Sequence, residues 1–109
     1  MAFDENRAAR VRAVVGVEPG IAEKRMFGGL AFLLDGNMSV GVHGGDLIVR
    51  IAPEATELAL QQPGARIFDL TGRPMKGWIL VAGDSVPDEK SLSRWVGQGI
   101  AFARSLPAK

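Results

Sequence analysis

The sequence contains no cysteine, a single histidine, no long apolar run and no dominant charge. Without cysteine there is neither a disulfide nor a thiolate metal site. With His43 alone, a two-histidine metal site cannot form. No apolar stretch approaches the roughly 18 residues that a membrane helix needs. Thirteen basic against twelve acidic residues leave a net charge of +1. That is too little field to steer the chain onto nucleic acid or a membrane, and direct nucleic-acid binding is not expected. The start, Met1-Ala2-Phe3-Asp4-Glu5-Asn6, carries acid where a signal peptide has a basic segment and then an apolar core. Elimination leaves a reduced, cytoplasmic setting as the expectation.

What is present suits one domain spanning residues 1–109, with an apolar share of 47% to supply its core. Asp4 to Val15 reads as a helix, with Ala8, Val11, Val14 and Val15 at helical spacing and Arg7, Arg10 and Arg12 turned away. From Glu23 to Ile51 the period changes to two. Asp35-Gly36 and Gly44-Gly45 are two-residue hairpin loops, because such turns need positive φ. They predict strands over 24–34, 37–43 and 46–51, with Gly28-Gly29 as a bulge or kink in the first. A short helix over 53–62, strands over 67–70 and 77–82, and a helix over 88–106 complete an α-β-β-β-α-β-β-α order. The fold class expected is therefore α+β, with a five-stranded antiparallel sheet. Gly97 and Gly99 cost propensity in the last helix, so close packing against the sheet is their expected reason.

Counting outward from the two hairpins pairs Leu33 with Met38, Ala31 with Val40, Val42 with Leu47 and Val40 with Val49. This puts Met38, Val40, Val49 and Ile51 on the helix-covered side. Leu30, Phe32 and Ile48 then fall on the opposite side around Gly41, with Ser39, His43, Asp46 and Arg50 nearby. Such an apolar group is either covered by the chain's own helix or loops, or is a partner face for a second copy or another protein.

Catalytic templates fail individually. No serine has a G-x-S-x-G setting. Gly36 and Gly41 have phosphate-loop spacing, but Val42 and His43 stand where lysine and a hydroxyl residue are needed. His43 pairs across its hairpin with Asp46, as a solvated strand-end contact or as a lone acid–base group. In the loop Thr71-Gly72-Arg73-Pro74-Met75-Lys76-Gly77, Arg73 and Lys76 form a candidate site for an anion or a partner's carboxylate. Otherwise it is a strand connection with solvated charges.

Met26-Phe27-Gly28-Gly29, followed by Leu30-Ala31-Phe32-Leu33-Leu34-Asp35-Gly36, resembles the opening of the TfoX N-terminal, or Sxy-like, domain. Phe68-Asp69-Leu70-Thr71-Gly72-Arg73-Pro74-Met75-Lys76-Gly77-Trp78 is similar to its second block, and Leu92-Ser93-Arg94-Trp95-Val96 to the start of its last helix. The resemblance implies an antiparallel α+β fold like the secretion-chaperone and YjbR-like domains. It also implies a positive regulator of natural competence genes, working with the cyclic-AMP receptor protein at promoters. The family has no established catalytic residues, so none is carried over, and no cofactor or metal is implied. Competence regulators usually append a second, helical domain, whereas this chain ends at Pro107-Ala108-Lys109, as a stand-alone copy would. The expectation is a non-enzymatic regulatory or protein-binding module, partnered by transcription machinery or a second copy. A small-molecule or anion-binding domain using residues 71–77 is the alternative, and an enzyme centred on His43 and Asp46 the third reading.

Overall fold

Three tight reversals build the sheet. Asp35 (φ 50°) and Gly36 (φ 86°) both take positive φ, as a type I′ hairpin requires, and join β2 (Gly29–Leu34) to β3 (Asn37–His43). At the next hairpin Gly44 takes the positive φ, and β4 (Asp46–Arg50) follows. The third reversal corrects an expectation. Met26 pairs with Gly29, so the chain turns back there, with Gly28 at φ +75°, and the predicted first strand is two strands. The computed structural model describes residues 4–16, 18–26, 28–69 and 76–108.

With β1 (Ile21–Met26), β5 (Ala65–Ile67) and β6 (Trp78–Val81), the sheet has six strands rather than five, in the order β1-β2-β3-β4-β6-β5. Every neighbouring pair is antiparallel. The α+β class is as expected. A short 3-10 turn (Pro53–Ala55) leads into α2 (Thr56–Leu60) between β4 and β5. The helices α1 (Glu5–Val15) and α3 (Glu89–Ser105) open and close the described fold.

The predicted pairs hold beside both turns: Leu33 faces Met38, Val42 faces Leu47 and Val40 faces Val49. Between Phe32 and Leu33 the register shifts, and Phe32 pairs with Val40. One step on β2 thus spans two on β3, which makes Ser39 the extra residue of a β-bulge. Its hydroxyl, fully buried, donates to the Phe32 carbonyl at 2.9 Å. The bulge reverses the facing of everything beyond it on one strand. Leu30, Phe32 and Leu34 join Val40, Val49 and Ile51 under the helices, while Ala31, Met38 and Ile48 cluster with Phe68 and Leu80 on the other side. The expected placing of Leu30 and Phe32 with Ile48, and of Met38 with Val40, is corrected accordingly.

Helix α3 lies against β2, β3 and β4 through Leu92, Trp95, Val96, Gly99, Ile100 and Ala103, all buried. Gly99 is required by this approach: a Cβ there would sit 2.4 Å from the Ser39 carbonyl oxygen and 2.6 Å from Val40 Cγ1. Gly97 is not, since a Cβ would meet nothing within 4 Å. Gly99→Ala is therefore expected to lose about 1–3 kcal/mol, as overpacking does. Gly97→Ala should gain up to about 1 kcal/mol, because alanine is the better helix former. Urea melts of the two variants check this; equal and opposite signs exchanged between them would refute the packing.

The arginines of α1 are structural ties rather than a uniformly solvated face. Arg7 donates to the carbonyls of Val86 (3.0 Å) and Gly83 (2.9 Å), and Arg10 to that of Pro87 (3.3 Å). Arg12 forms a two-pronged pair with Glu23 on β1 at 2.6 and 2.8 Å. At the start of α3, Asp88 accepts from the Ser91 backbone N–H and hydroxyl, both at 2.8 Å. These bonds hold its carboxyl below the ordinary aspartate range. A depressed folded-state pKa stabilises above the unfolded value and stops doing so as pH falls through the folded one. The wild type should thus lose stability on acidification more steeply than Asp88→Asn, whose amide oxygen caps without titrating. Urea midpoints at about pH 6 and about pH 3 test this, and parallel losses would dismiss the charge of the cap.

Candidate functional site

The four residues expected to form one partner face are divided by the bulge. Leu30 and Phe32 lie in the helix-side core, and Gly41 and Ile48 are buried on the other side of the sheet. Of the two loop cations, Arg73 lies outside the described residues. Lys76 is exposed beside a cavity of about 450 Å³ bounded by Glu54, Glu57, Leu60 and Ile67. It makes no ion pair with them.

His43 and Asp46 do pair in register. Their side chains, however, have separate commitments. Asp46 Oδ1 accepts from the Gly83 N–H at 3.0 Å, and its Oδ2 lies 3.7 Å from Arg66 Nη2. The imidazole instead meets the Phe68 ring edge-on, with centroids 6.2 Å apart. Both residues border an open cavity of about 660 Å³ with Arg66, Phe68, Asp69 and Leu80. Among the described residues no carboxylate is hydrogen-bonded to the histidine. Among the described residues no group of three His, Asp or Glu side chains is placed to hold a metal ion.

The feature that sequence reasoning missed is a groove of about 560 Å³ between α1 and α3. Val14, Val96 and Ile100 supply apolar walls, and Ser93, Gly97 and Ala101 a low ridge along its α3 side. Glu18 and Arg104 close one end as an ion pair. Spacing by four of Ser93, Gly97 and Ala101 is the signal in the sequence, but a glycine in an amphipathic helix reads first as a packing contact with the sheet. The exposed face of α3 also carries Lys90 and Arg94, neither of which is ion-paired among the described residues. None of the described helices is long and apolar enough to cross a membrane.

The family model of the TfoX N-terminal domain matches residues 15–103. Neither a curated protein nor a solved structure matches the chain.

Proposed function

The chain belongs to the TfoX N-terminal domain family, and from that premise we propose that it is a non-enzymatic, protein-binding regulatory module of the competence type, acting in the cytoplasm. The α1–α3 groove carries this reading. Gly97 sits in the middle of a helix, at a cost of roughly 1 kcal/mol against alanine, although none of the described residues needs its missing side chain. A partner backbone lying close against α3 supplies that need. Apolar walls and a low ridge suit an amphipathic helix in a groove. With Arg104 paired to Glu18, Lys90 and Arg94 against Glu89 leave the α3 face basic, so the helix that fits has acidic flanks. The same charge opposes a second copy, whose α3 would bring like charge to like.

The test is affinity capture by the tagged chain from its own host, run beside Gly97→Gln. The variant should keep its circular dichroism and lose a partner that the wild type retains. A partner set unchanged by Gly97→Gln would overturn the groove. No turnover is expected on generic esterase, phosphatase, nuclease or peptidase substrates, for want of an oriented nucleophile–base pair. Activity that survives purification and vanishes in His43→Ala would replace this reading with an enzymatic one.

A further inference from the structure

Arg50, the last residue of β4, is half-buried. Its guanidinium carbon lies 5.1 Å from the Trp78 ring centroid and 5.3 Å from that of Phe102, linking β6 to the C-terminal half of α3. Both rings are themselves half-buried. All twelve carboxylate side chains lie among the described residues. Their ion pairs go to Arg12, Arg66 and Arg104, and none to Arg50. No described buried side-chain nitrogen lacks both solvent and a partner. The unpaired N–H groups of Arg50 therefore face water.

Such a cation differs from Lys90 or Arg94, which are exposed. Contact with two aromatic rings restricts the guanidinium before anything binds, while its forked donors stay open. A fixed fork of N–H donors matches the two oxygens of a carboxylate. Arginine and tryptophan are also the residues most enriched at the energetic centres of interfaces.

The geometry points to a carboxylate site at Arg50, filled by a glutamate or aspartate of an acidic protein segment whose apolar neighbours rest on Trp78 and Phe102. A nucleic-acid backbone fits worse, since tight phosphate binding draws on several cations and here one is framed by apolar rings. None of the three residues lines the α1–α3 groove, so this site goes beyond the reading above. The alternative is that Arg50 only fastens α3 to the sheet.

The two tryptophans provide a built-in reporter and control: Trp78 touches Arg50, whereas Trp95 is 1% exposed. In ¹⁵N–¹H spectra, the Trp78 indole signal should shift saturably on titration with acetyl-Leu-Glu-Leu-Glu-amide, and the Trp95 signal should not. Arg50→Lys keeps the charge but loses the fork, and should bind roughly tenfold more weakly. Arg50→Gln should abolish the shift, with dispersed spectra confirming the fold; were it to unfold, Arg50→Lys decides alone. Sodium glutarate should bind more weakly than the peptide, lacking its apolar contacts. A motionless Trp78 signal, or a shift undiminished in the lysine variant, would overturn the site. Glutarate binding as tightly as the peptide would replace the acidic segment with a free anion. Tighter binding of sodium phosphate would overturn the carboxylate assignment.

Discussion

Phe32→Asp should unfold the monomer at neutral pH rather than dissociate an assembly. Phe32 is 0% exposed in the helix-side core, opposite Val40 on β3. Removing a buried phenyl ring by itself loses about 3–5 kcal/mol. The aspartate then either carries an unpaired charge into the core or takes up a proton, and either choice costs several kcal/mol more. The sum rivals the roughly 5–15 kcal/mol that holds a domain of this size together. Far-ultraviolet circular dichroism and light scattering should report a disordered or aggregated chain. A variant that kept its melting temperature and only halved its mass would restore Phe32 to a surface between copies.

Counting residues outward from the hairpin puts Phe32 outside the core, because the register shifts between Phe32 and Leu33. Counting from a hairpin turn is reliable until the strands cease to advance together, and the pairs beside both turns were correct for that reason. Ser39 adds one residue to β3 alone, and nothing in Met38-Ser39-Val40 marks it. Alternation would normally expose such a slip, because one face of a strand is polar. Here Leu30 to Leu34 is apolar at every position, and both faces of β2 are covered, so the pattern is the same in either register. The Met26–Gly29 reversal was missed on related grounds. Glycine in a strand signals a bulge as readily as a turn, and the exposed residues of β1 offer no alternation to separate them. Gly99 was legible as a packing glycine, whereas Gly97 became distinct only when the space beside each was known. Arg50 was legible as a residue near the sheet face, but its two aromatic neighbours come from β6 and α3, distant in sequence.

Trp95→Ala should be the most destabilising of the conservative truncations, at about 3–5 kcal/mol. Trp95 is 1% exposed and is the largest fully buried side chain of the core. It belongs to the α3 face that covers β2, β3 and β4 and also meets α1, so the void opens where several elements converge. Gly99 limits the repair, because its close approach to the Ser39 carbonyl fixes how far α3 can settle onto the sheet. In a domain of this size 1 kcal/mol corresponds to about 4–8 °C, so the midpoint should fall by roughly 12–40 °C. Trp78→Ala is the matched control, being half-buried at the margin of the second cluster, and its midpoint should fall far less. Thermal melts followed at 222 nm compare the two variants. Equal shifts, or a fall of only a degree or two for Trp95→Ala, would show that the last helix is anchored elsewhere.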